Sequence, residues 1–260
     1  MKKILFFLLL AVFSLGVSAQ APSKKCPICG LSIPKCQYKG KHPKNKPTTP
    51  AQQQPSKPAK PAAKPRPTTG TLNGYDWVDL GLSVKWATKN VGASSPSDYG
   101  GYYAWGETRT KDNYDWETCF DCLDDEGKSW GTYKIGGQTR IAPGSGNDTA
   151  RENWGSTWRM PTIAELEELC NKCTWTWTSQ GGHEGYKVTG PNGNSIFFPA
   201  AGWRSGTGRD YVGQLGYYWS GTLSSLGSDY AHGLLFYSSS HSTGSGRGRS
   251  FGQSVRPVTE

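Results

Sequence analysis

The sequence predicts an α+β domain over residues 71–260, with short, mostly antiparallel strands, one or two helices and long loops. Runs of aromatic and β-branched residues recur there between turn signals, a pattern typical of antiparallel strands. Helical periodicity is clear in one stretch, which follows Pro161. All eleven tryptophans lie in this part of the chain, which is long enough to bury a sizeable core.

Eight short runs between Gly, Asn, Asp and Pro residues are predicted as strands. They span residues 77–82, 84–88, 102–105, 186–189, 196–198, 216–219, 233–237 and 254–258. The sequence Gly-Pro-Asn-Gly at 190–193 separates two of these runs. Since these residue types accept the backbone angles of tight turns, it predicts a β-hairpin.

One helix is predicted over residues 163–172. The Thr162 hydroxyl can cap the first free amides, and Glu165 three residues later completes a Thr-x-x-Glu capping box. Pro161 fixes an extended approach to the cap. Apolar residues then recur at helical spacing at Ile163, Leu166, Leu169, Cys170 and Cys173. We expect this stripe to pack on the sheet.

Arg159 stands just before this helix, beside Trp158. A guanidinium can stack on an aromatic ring or form a forked ion pair, and Asp148 and Glu165 are the available partners. The preferred interpretation is an arginine that fixes the start of the helix, and the alternative is a ligand-binding arginine.

The first nineteen residues have the pattern of a secretory signal peptide. Lys2 and Lys3 precede an apolar run over 4–13, and small residues follow up to Ala19, after which cleavage is expected. The apolar run is shorter than the roughly 20 residues that span a bilayer. The sequence therefore predicts export to the periplasm, the cell surface or the extracellular space, without a transmembrane segment.

The distribution of charge argues against nucleic-acid binding. The chain has a net charge of +9, but thirteen of its 29 basic residues and none of its 20 acidic residues lie in 1–70. Residues 71–260 therefore carry sixteen basic against 20 acidic groups, a net charge of −4. A nucleic-acid-binding domain needs a basic face on its folded surface.

Residues 43–70 are predicted to be a disordered, Pro/Lys-rich linker. They include eight prolines and no aromatic or large aliphatic side chain, so they cannot bury enough apolar surface to fold.

The preceding segment, 20–42, carries Cys26, Cys29, Cys36 and His42, a set that fits a tetrahedral zinc site like half of a zinc ribbon. Zinc is the preferred interpretation; one disulfide with a spare thiol is the alternative.

Four further cysteines form two Cys-x2-Cys pairs, Cys119 with Cys122 and Cys170 with Cys173. Disulfides between the helix pair and the 119–122 loop are the preferred interpretation for an exported chain. A second zinc site and free thiols remain the alternatives.

Several motifs, in their order along the chain, resemble the Fibrobacter succinogenes major paralogous domain family. The resemblance covers nearly all of 71–260. The matching segments are Asp-Leu-Gly-Leu at 79–82, Lys-Trp-Ala-Thr-Lys-Asn-Val-Gly-Ala at 85–93, Tyr-Ala-Trp-Gly-Glu-Thr at 103–108, Trp-Gly at 154–155, Trp-Arg-Met-Pro-Thr at 158–162, Cys-Thr-Trp-Thr-Trp at 173–177, Phe-Pro-Ala-Ala-Gly at 198–202, Tyr-Trp-Ser at 218–220 and Ser-Val-Arg-Pro-Val at 254–258.

The resemblance implies a C-type-lectin-like fold, shared with the sulfatase-modifying enzymes. In that fold the first and last strands lie together, and long loops form the working surface. The formylglycine-generating relatives bind copper through cysteines late in the domain, whereas this chain has no cysteine beyond Cys173. Their activity is therefore not carried over.

The segments after Pro199 are predicted to meet the ligand. Aromatic planes beside carboxylates suit sugars, whose apolar faces stack while their hydroxyls need polar partners. The predicted ligand-binding residues are Trp203, Arg204, Asp210, Tyr211, Tyr217, Trp219, Asp229 and Tyr230.

The sequence therefore predicts a non-catalytic binding module for glycans or other surface polymers, or for a protein partner. The first alternative is a structural or adhesive accessory, with a lectin-like cap on a stalk. An enzyme of unfamiliar chemistry is the second, although the four histidines lie in polar or glycine-rich surroundings and no Gly-x-Ser-x-Gly elbow occurs. Exposure of the aromatic residues after Pro199 favours binding, and their burial favours the accessory role.

Overall fold

Short antiparallel strands and two helices build the described part of the chain, which comprises residues 68–119, 140–227, 229–244 and 246–260 of a computed structural model. The strands are β1 (Thr69–Leu72), β2 (Tyr75–Val78), β3 (Lys85–Ala87), β4 (Thr174–Gln180), β5 (His183–Thr189), β6 (Ser195–Pro199), β7 (Trp203–Ser205), β8 (Gly208–Asp210), β9 (Leu215–Leu223), β10 (Tyr230–Tyr237), β11 (Ser240–Ser242), β12 (Arg247–Gly248) and β13 (Val258–Thr259). The helices are α1 (Thr149–Trp154) and α2 (Ile163–Lys172).

The last strand joins the first three in one antiparallel sheet, in the order β1-β2-β3-β13. Val258 in β13 lies opposite Trp86 in β3, and it also forms an isolated antiparallel bridge with Arg159. Both residues of the first pair are fully buried. The two ends of the described region are therefore held together at the core, next to the entry to α2.

Three further sheets complete the architecture. Strands β4, β5 and β6 form one sheet, and β10 lies between β9 and the short strands β11 and β12 in another. Strands β7 and β8 form a separate hairpin. All of these strand pairs are antiparallel, so the predicted mostly antiparallel architecture with few helices is confirmed.

The predicted 190–193 turn is present between β5 and β6. The Gly190 amide donates to the Asn194 carbonyl at 2.9 Å, and the Gly193 amide donates back to the Gly190 carbonyl at 2.9 Å. Gly193 has φ +87°, in the left-handed region that favours glycine.

Two predicted strands are largely absent, and two others are shortened: the strand predicted over 77–82 ends at Val78 in β2, and that over 84–88 covers only Lys85–Ala87 in β3. Of the predicted strand over 102–105, Tyr103 forms only an isolated bridge with Gln253. Of the predicted strand over 254–258, only Val258 belongs to a ladder, in β13. Gly100, with φ +74°, and Gly106, with φ +88°, turn the backbone on either side of the first segment. Pro257 lacks the amide that a longer ladder would need.

The predicted helix and its cap are confirmed at the predicted residues. The Glu165 amide donates to the Thr162 hydroxyl at 3.3 Å, and the Thr162 amide donates to the Glu165 carboxylate at 2.8 Å. Arg159 donates to both oxygens of Glu165, at 2.8 and 2.6 Å. The preferred interpretation of Arg159 therefore agrees with its position: it fixes the first turn of α2.

Asp148 does not pair with Arg159 and instead caps α1. Its carboxylate accepts from the amides of Ala150 and Arg151, each at 3.0 Å, and from the Met160 amide at 3.1 Å. Burial raises the pKa of this carboxyl above its ordinary value, although the three amides act in the opposite direction. Asp148 thus joins α1 to the segment that leads into α2.

Arg256 is buried in the core. Its Nε donates to the Asn90 side-chain oxygen at 2.8 Å, and its Nη2 donates to the Phe197 carbonyl at 2.9 Å. Its Nη1 donates to the carbonyls of Ala87 and Thr88, at 3.2 and 3.3 Å. Burial lowers the pKa of Arg256 to about 10, so the group is still charged at neutral pH. This one side chain joins three segments that are far apart in the sequence.

The predicted signal peptide, the Cys26–His42 segment and nearly all of the predicted linker lie outside the described residues. Strand β1 begins at Thr69, two residues before the expected start of the domain, because its backbone pairs with β2. In the described ranges, neither helix has the length and apolar character needed to cross a membrane.

Candidate functional site

The β7–β8 hairpin carries two chemically different faces. Trp203 lies opposite Asp210, and Arg204 lies opposite Arg209. Directly opposite residues of an antiparallel pair share a face, and successive residues alternate between faces. The hairpin therefore has one side with an indole and a carboxylate, and another side with two guanidinium groups.

The first side belongs to a cluster that we call the aromatic face, made of Trp203, Tyr211, Tyr217 and Arg247. The Trp203 ring lies 5.0 Å from the Tyr211 ring and 4.6 Å from the Tyr217 ring, which meets it edge-on at 89°. Trp203 is half-buried, Tyr211 is exposed and Tyr217 is buried. Trp203 thus contacts both the exposed Tyr211 ring and the buried Tyr217 ring.

Arg247 enters this cluster from β12 and was not predicted. Its guanidinium carbon lies 5.6 Å from the Trp203 ring centroid and 4.7 Å from that of Tyr217, and its Nη2 donates to the Tyr217 hydroxyl. Its buried Nε has no hydrogen-bond partner among the described residues. Burial raises the pKa of Tyr217, an effect that the Arg247 charge only partly offsets.

Tyr211 has an unusual combination of exposure and backbone conformation. Its side chain is 52% exposed, and its φ is +56°, which a residue with a bulky side chain rarely adopts. Its backbone carbonyl accepts from the Gln214 and Leu215 amides, each at 3.0 Å, so it closes the turn before β9. The turn therefore presents a large aromatic ring to solvent at a position where glycine or asparagine is commoner.

Two of the predicted ligand-binding residues are buried. Trp219 is 0% exposed, and its indole donates to the Tyr103 carbonyl at 2.8 Å. It belongs to the core, so its assignment as a ligand-binding residue was wrong. Tyr217 is 4% exposed, and it supports the aromatic face from below. Both lie on β9, which is covered over most of its length, and the local sequence does not show this.

Asp229 and Tyr230 lie at the start of β10, apart from the aromatic rings of the hairpin. Tyr230 lies opposite Gly248, and the next residue, Ala231, lies opposite Arg247. Tyr230 is 38% exposed and Asp229 is half-buried. These two residues are near the strand that carries Arg247, but neither makes a ring or ion-pair contact with the aromatic face within the described residues.

The helix cysteines are not cross-linked to the 119–122 loop. Cys170 and Cys173 are both free and half-buried, and Cys119 is disulfide-bonded, so neither of the helix cysteines is its partner. Burial raises the pKa of Cys170 to about 12 and that of Cys173 to about 11. The preferred disulfide interpretation was therefore wrong for this pair, because the apolar stripe of α2 packs the two thiols against the core.

No group of three or more His, Cys, Asp or Glu residues in the described ranges is placed to hold a metal ion. Cys122, Cys26, Cys29, Cys36 and His42 lie outside those ranges. His241 stacks on Trp175 at 4.4 Å and 12°, and His183 meets Tyr99 edge-on at 4.5 Å. These two imidazoles are packed against aromatic rings.

No protein-family model, curated protein or solved structure matches this chain.

Proposed function

We propose that the domain is a non-catalytic carbohydrate-binding module, and that the aromatic face contacts the ligand. The proposal assigns the chain to the Fibrobacter succinogenes major paralogous domain family, with its C-type-lectin-like fold. Two features support that assignment. Strand β13 joins the sheet of β1, β2 and β3, paired with β3, and the Trp-Arg-Met-Pro-Thr sequence at 158–162 leads into the capped helix α2.

The observation that carries the proposal is the accessible ring pair of Trp203 and Tyr211. Their centroids are 5.0 Å apart with an angle of 35° between the planes. Sugars bind to such surfaces because their C–H faces stack on aromatic rings. Asp210, opposite Trp203 in the hairpin, supplies acceptor oxygens for sugar hydroxyls, and Arg247 supplies donors.

The proposed setting is the cell exterior. The signal-peptide pattern of 1–19 supports export, and the Pro/Lys-rich sequence of 43–70 would separate the binding domain from the Cys26–His42 segment. In this proposal the cysteines and histidine of that segment bind zinc, with a disulfide as the alternative. The ligand class is then a glycan or another polymer of a cell surface.

A second function is favoured by the burial of Tyr217 and Trp219. Of the five predicted aromatic residues, Tyr217 and Trp219 are buried and Tyr230 lies apart from the aromatic face, so Trp203 and Tyr211 alone form an accessible cluster. So small an accessible aromatic surface is compatible with a structural or adhesive accessory role, in which the domain forms the cap of a stalk. We rank this role second because Tyr211 is held exposed in a strained conformation.

A glycan array with the full chain tests the proposal. Trp203→Ala and Tyr211→Ala should each lower binding at least about tenfold, since each removes a stacking surface worth roughly 1.5 kcal/mol. Tyr237→Ala is the matched control, because Tyr237 is 43% exposed but lies at the end of β10, outside the aromatic face.

Binding that is lost in both variants and kept in the control would support the proposal. Binding unchanged in all three variants would remove the aromatic face as the site. An array on which the folded protein binds no glycan would favour the accessory role.

A further inference from the structure

The second side of the β7–β8 hairpin borders a cleft that we call the arginine cleft. It has a volume of about 530 Å³. Its lining residues are Gly100, Gly101, Tyr102, Thr110, Tyr114, Arg204, Thr207 and Arg209. The lining includes two guanidinium groups and no carboxylate, so it is chemically distinct from the aromatic face on the other side of the hairpin.

Among the described residues, Arg204 is held in place by groups other than carboxylates. Its Nη1 donates to the Lys111 carbonyl at 3.2 Å, and its Nη2 donates to the Asp112 and Thr207 carbonyls at 3.1 and 3.0 Å. Its guanidinium carbon also lies 5.0 Å from the centroid of the Tyr114 ring. Neutral carbonyls and a ring orient the group but do not cancel its charge.

Arg204 also retains unused hydrogen-bond donors. A guanidinium has five N–H donors, and the three carbonyl contacts use three of them. One of the remaining two is the Nε–H, which is buried and has no partner among the described residues. A buried donor without a partner costs about 1–3 kcal/mol, which is recovered if the side chain shifts to meet an acceptor of a ligand.

Arg209 adds a second charge at the open side of the cleft. It is exposed and lies opposite Arg204 in the hairpin, close enough to the Tyr102 hydroxyl to donate a hydrogen bond to it. Within the described residues neither arginine forms a salt bridge. Like charges on directly opposite strand positions repel, so the pair is more stable when an anion lies between them.

The two tyrosines do not neutralise this charge. Burial raises the pKa of Tyr102 and of Tyr114, and the nearby arginines offset the effect only in part. Both phenols therefore stay protonated at physiological pH. The Thr110 and Thr207 side chains add hydroxyl groups to the same lining.

We infer that the arginine cleft binds a carboxylate group of an acidic polysaccharide, with a uronic acid as the recognised unit. A carboxylate matches this lining because it accepts charge-assisted hydrogen bonds from guanidinium groups, and Arg209 supplies a donor beside the charge of Arg204. This inference rests on the proposed carbohydrate-binding function and makes its ligand acidic. In this arrangement one sugar unit of the polymer stacks on the aromatic face and the carboxylate of a different unit enters the arginine cleft.

The test uses the full chain and two probes, polygalacturonate and its fully methyl-esterified form. Arg209→Gln should weaken binding of polygalacturonate about tenfold, because one charge-assisted hydrogen bond is lost. It should leave binding of the esterified polymer unchanged. Arg140→Gln is the matched control, since Arg140 is also exposed but bridges to Thr222, away from the cleft.

Arg204→Lys provides a second variant that keeps the charge and loses the planar fork. It should also weaken polygalacturonate binding, and thermal unfolding of each variant separates lost binding from lost folding. Raising the salt concentration should weaken binding of the acidic polymer and not of the ester.

The outcomes separate this inference from the proposed function. Equal effects of Arg209→Gln and Arg140→Gln, or no binding of polygalacturonate at low salt, would overturn the arginine cleft as a carboxylate site. Binding of dextran sulfate without binding of polygalacturonate would also overturn it, in favour of a sulfate site. If Arg209→Gln weakens binding while Trp203→Ala does not, the cleft stands and the aromatic face fails.

Discussion

At the residue scale, Tyr211 combines a strained backbone conformation with an exposed ring to which we assign a role in the proposed binding. A non-glycine residue in the left-handed region costs about 1–2 kcal/mol relative to its ordinary conformation. Tyr211 adopts that region at φ +56°, and its ring is largely exposed apart from the contact with Trp203. A position selected for stability alone would favour glycine or asparagine there.

A pair of substitutions at Tyr211 measures this conflict. Tyr211→Ala and Tyr211→Gly both remove the ring, but only glycine relieves the backbone. We expect the glycine variant to be more stable than the alanine variant by about 1 kcal/mol, measured by urea unfolding. Both variants should lose glycan binding equally. A glycine variant less stable than the alanine variant would contradict the argument.

Arg256 gives a second prediction for a single residue, in this case one buried in the core. Removing it would leave carbonyls of Ala87 and Phe197 and the Asn90 side chain without their donor. We expect Arg256→Met to lower the free energy of unfolding by about 2–4 kcal/mol, because buried acceptors lose their partners. Denaturant unfolding measures the change. A variant as stable as the parent would mean that the cost of burying the charge cancels its hydrogen bonds.

The sequence could predict site residues only where local context reveals exposure. Trp203 stands beside a small-residue turn, and the structure leaves it half-buried. Trp219 has an equally suggestive neighbourhood, but it lies on a strand that is covered over most of its length. Arg247 lies in a Gly/Ser-rich segment, and only the pairing of β10 with β12 brings it to the aromatic face. Long-range pairing of this kind leaves no local signal.

At the element scale, α2 shows why a helix start was predictable. The cap requires only residues within three positions of one another. The side chains that make it can therefore be recognised from the local sequence alone. Strand β4 and helix α1 were missed for different reasons. Strand β4 depends on pairing with β5, and α1 is only six residues long and caps on Asp148 within a glycine-rich stretch.

The ion pair at the start of α2 predicts a pH dependence of stability. Burial alone would raise the pKa of Glu165, but hydrogen bonds from Arg159 and Thr162 outweigh it, and the pKa is lowered overall. A carboxyl whose pKa is lower in the folded state than in the unfolded state stabilises the fold, and this stabilisation is complete at pH values above the unfolded-state pKa. That contribution is lost as the pH falls below about 4.5, through the folded pKa.

Arg159→Gln should therefore reduce stability by about 1–2 kcal/mol at pH 7 and by less at pH 3. The free energy of unfolding, followed by circular dichroism between pH 3 and pH 7, gives both values. Thr162→Ala is the control: it weakens the cap by about 1 kcal/mol and keeps the ion pair. An equal loss for Arg159→Gln at both pH values would contradict the role of Glu165.

The two thiols of α2 make a second prediction at this scale. Because the pKa values of Cys170 and Cys173 are raised to about 12 and about 11, little thiolate exists at pH 8. We expect alkylation by iodoacetamide at pH 8 to be at least about tenfold slower in the folded protein than in urea. Mass spectrometry of the peptide that contains α2 measures the rate. Rapid labelling without urea would show that the helix opens locally.

At the scale of the whole molecule, the end of the chain completes the core. The Val258 amide donates to the Arg159 carbonyl at 2.9 Å, and the Arg159 amide donates back at 3.0 Å. Val258 also lies opposite Trp86, and both side chains are 0% exposed. The resemblance implied that the first and last strands lie together; in the structure β13 joins the sheet of β1 but pairs with β3, and periodicity alone could not reveal this pairing.

Deletion of residues 258–260 should therefore destabilise the whole described domain. The loss includes a buried valine, worth about 1.5–3 kcal/mol, and the two backbone hydrogen bonds to Arg159, so we expect at least about 3 kcal/mol. Glu260→Gln is the matched control, because it removes only the salt bridge from a side chain that is 75% exposed. It should change stability by less than about 1 kcal/mol. Thermal unfolding of both variants decides the point: a deletion as mild as the control would show that β13 is an accessory to the core and does not close it.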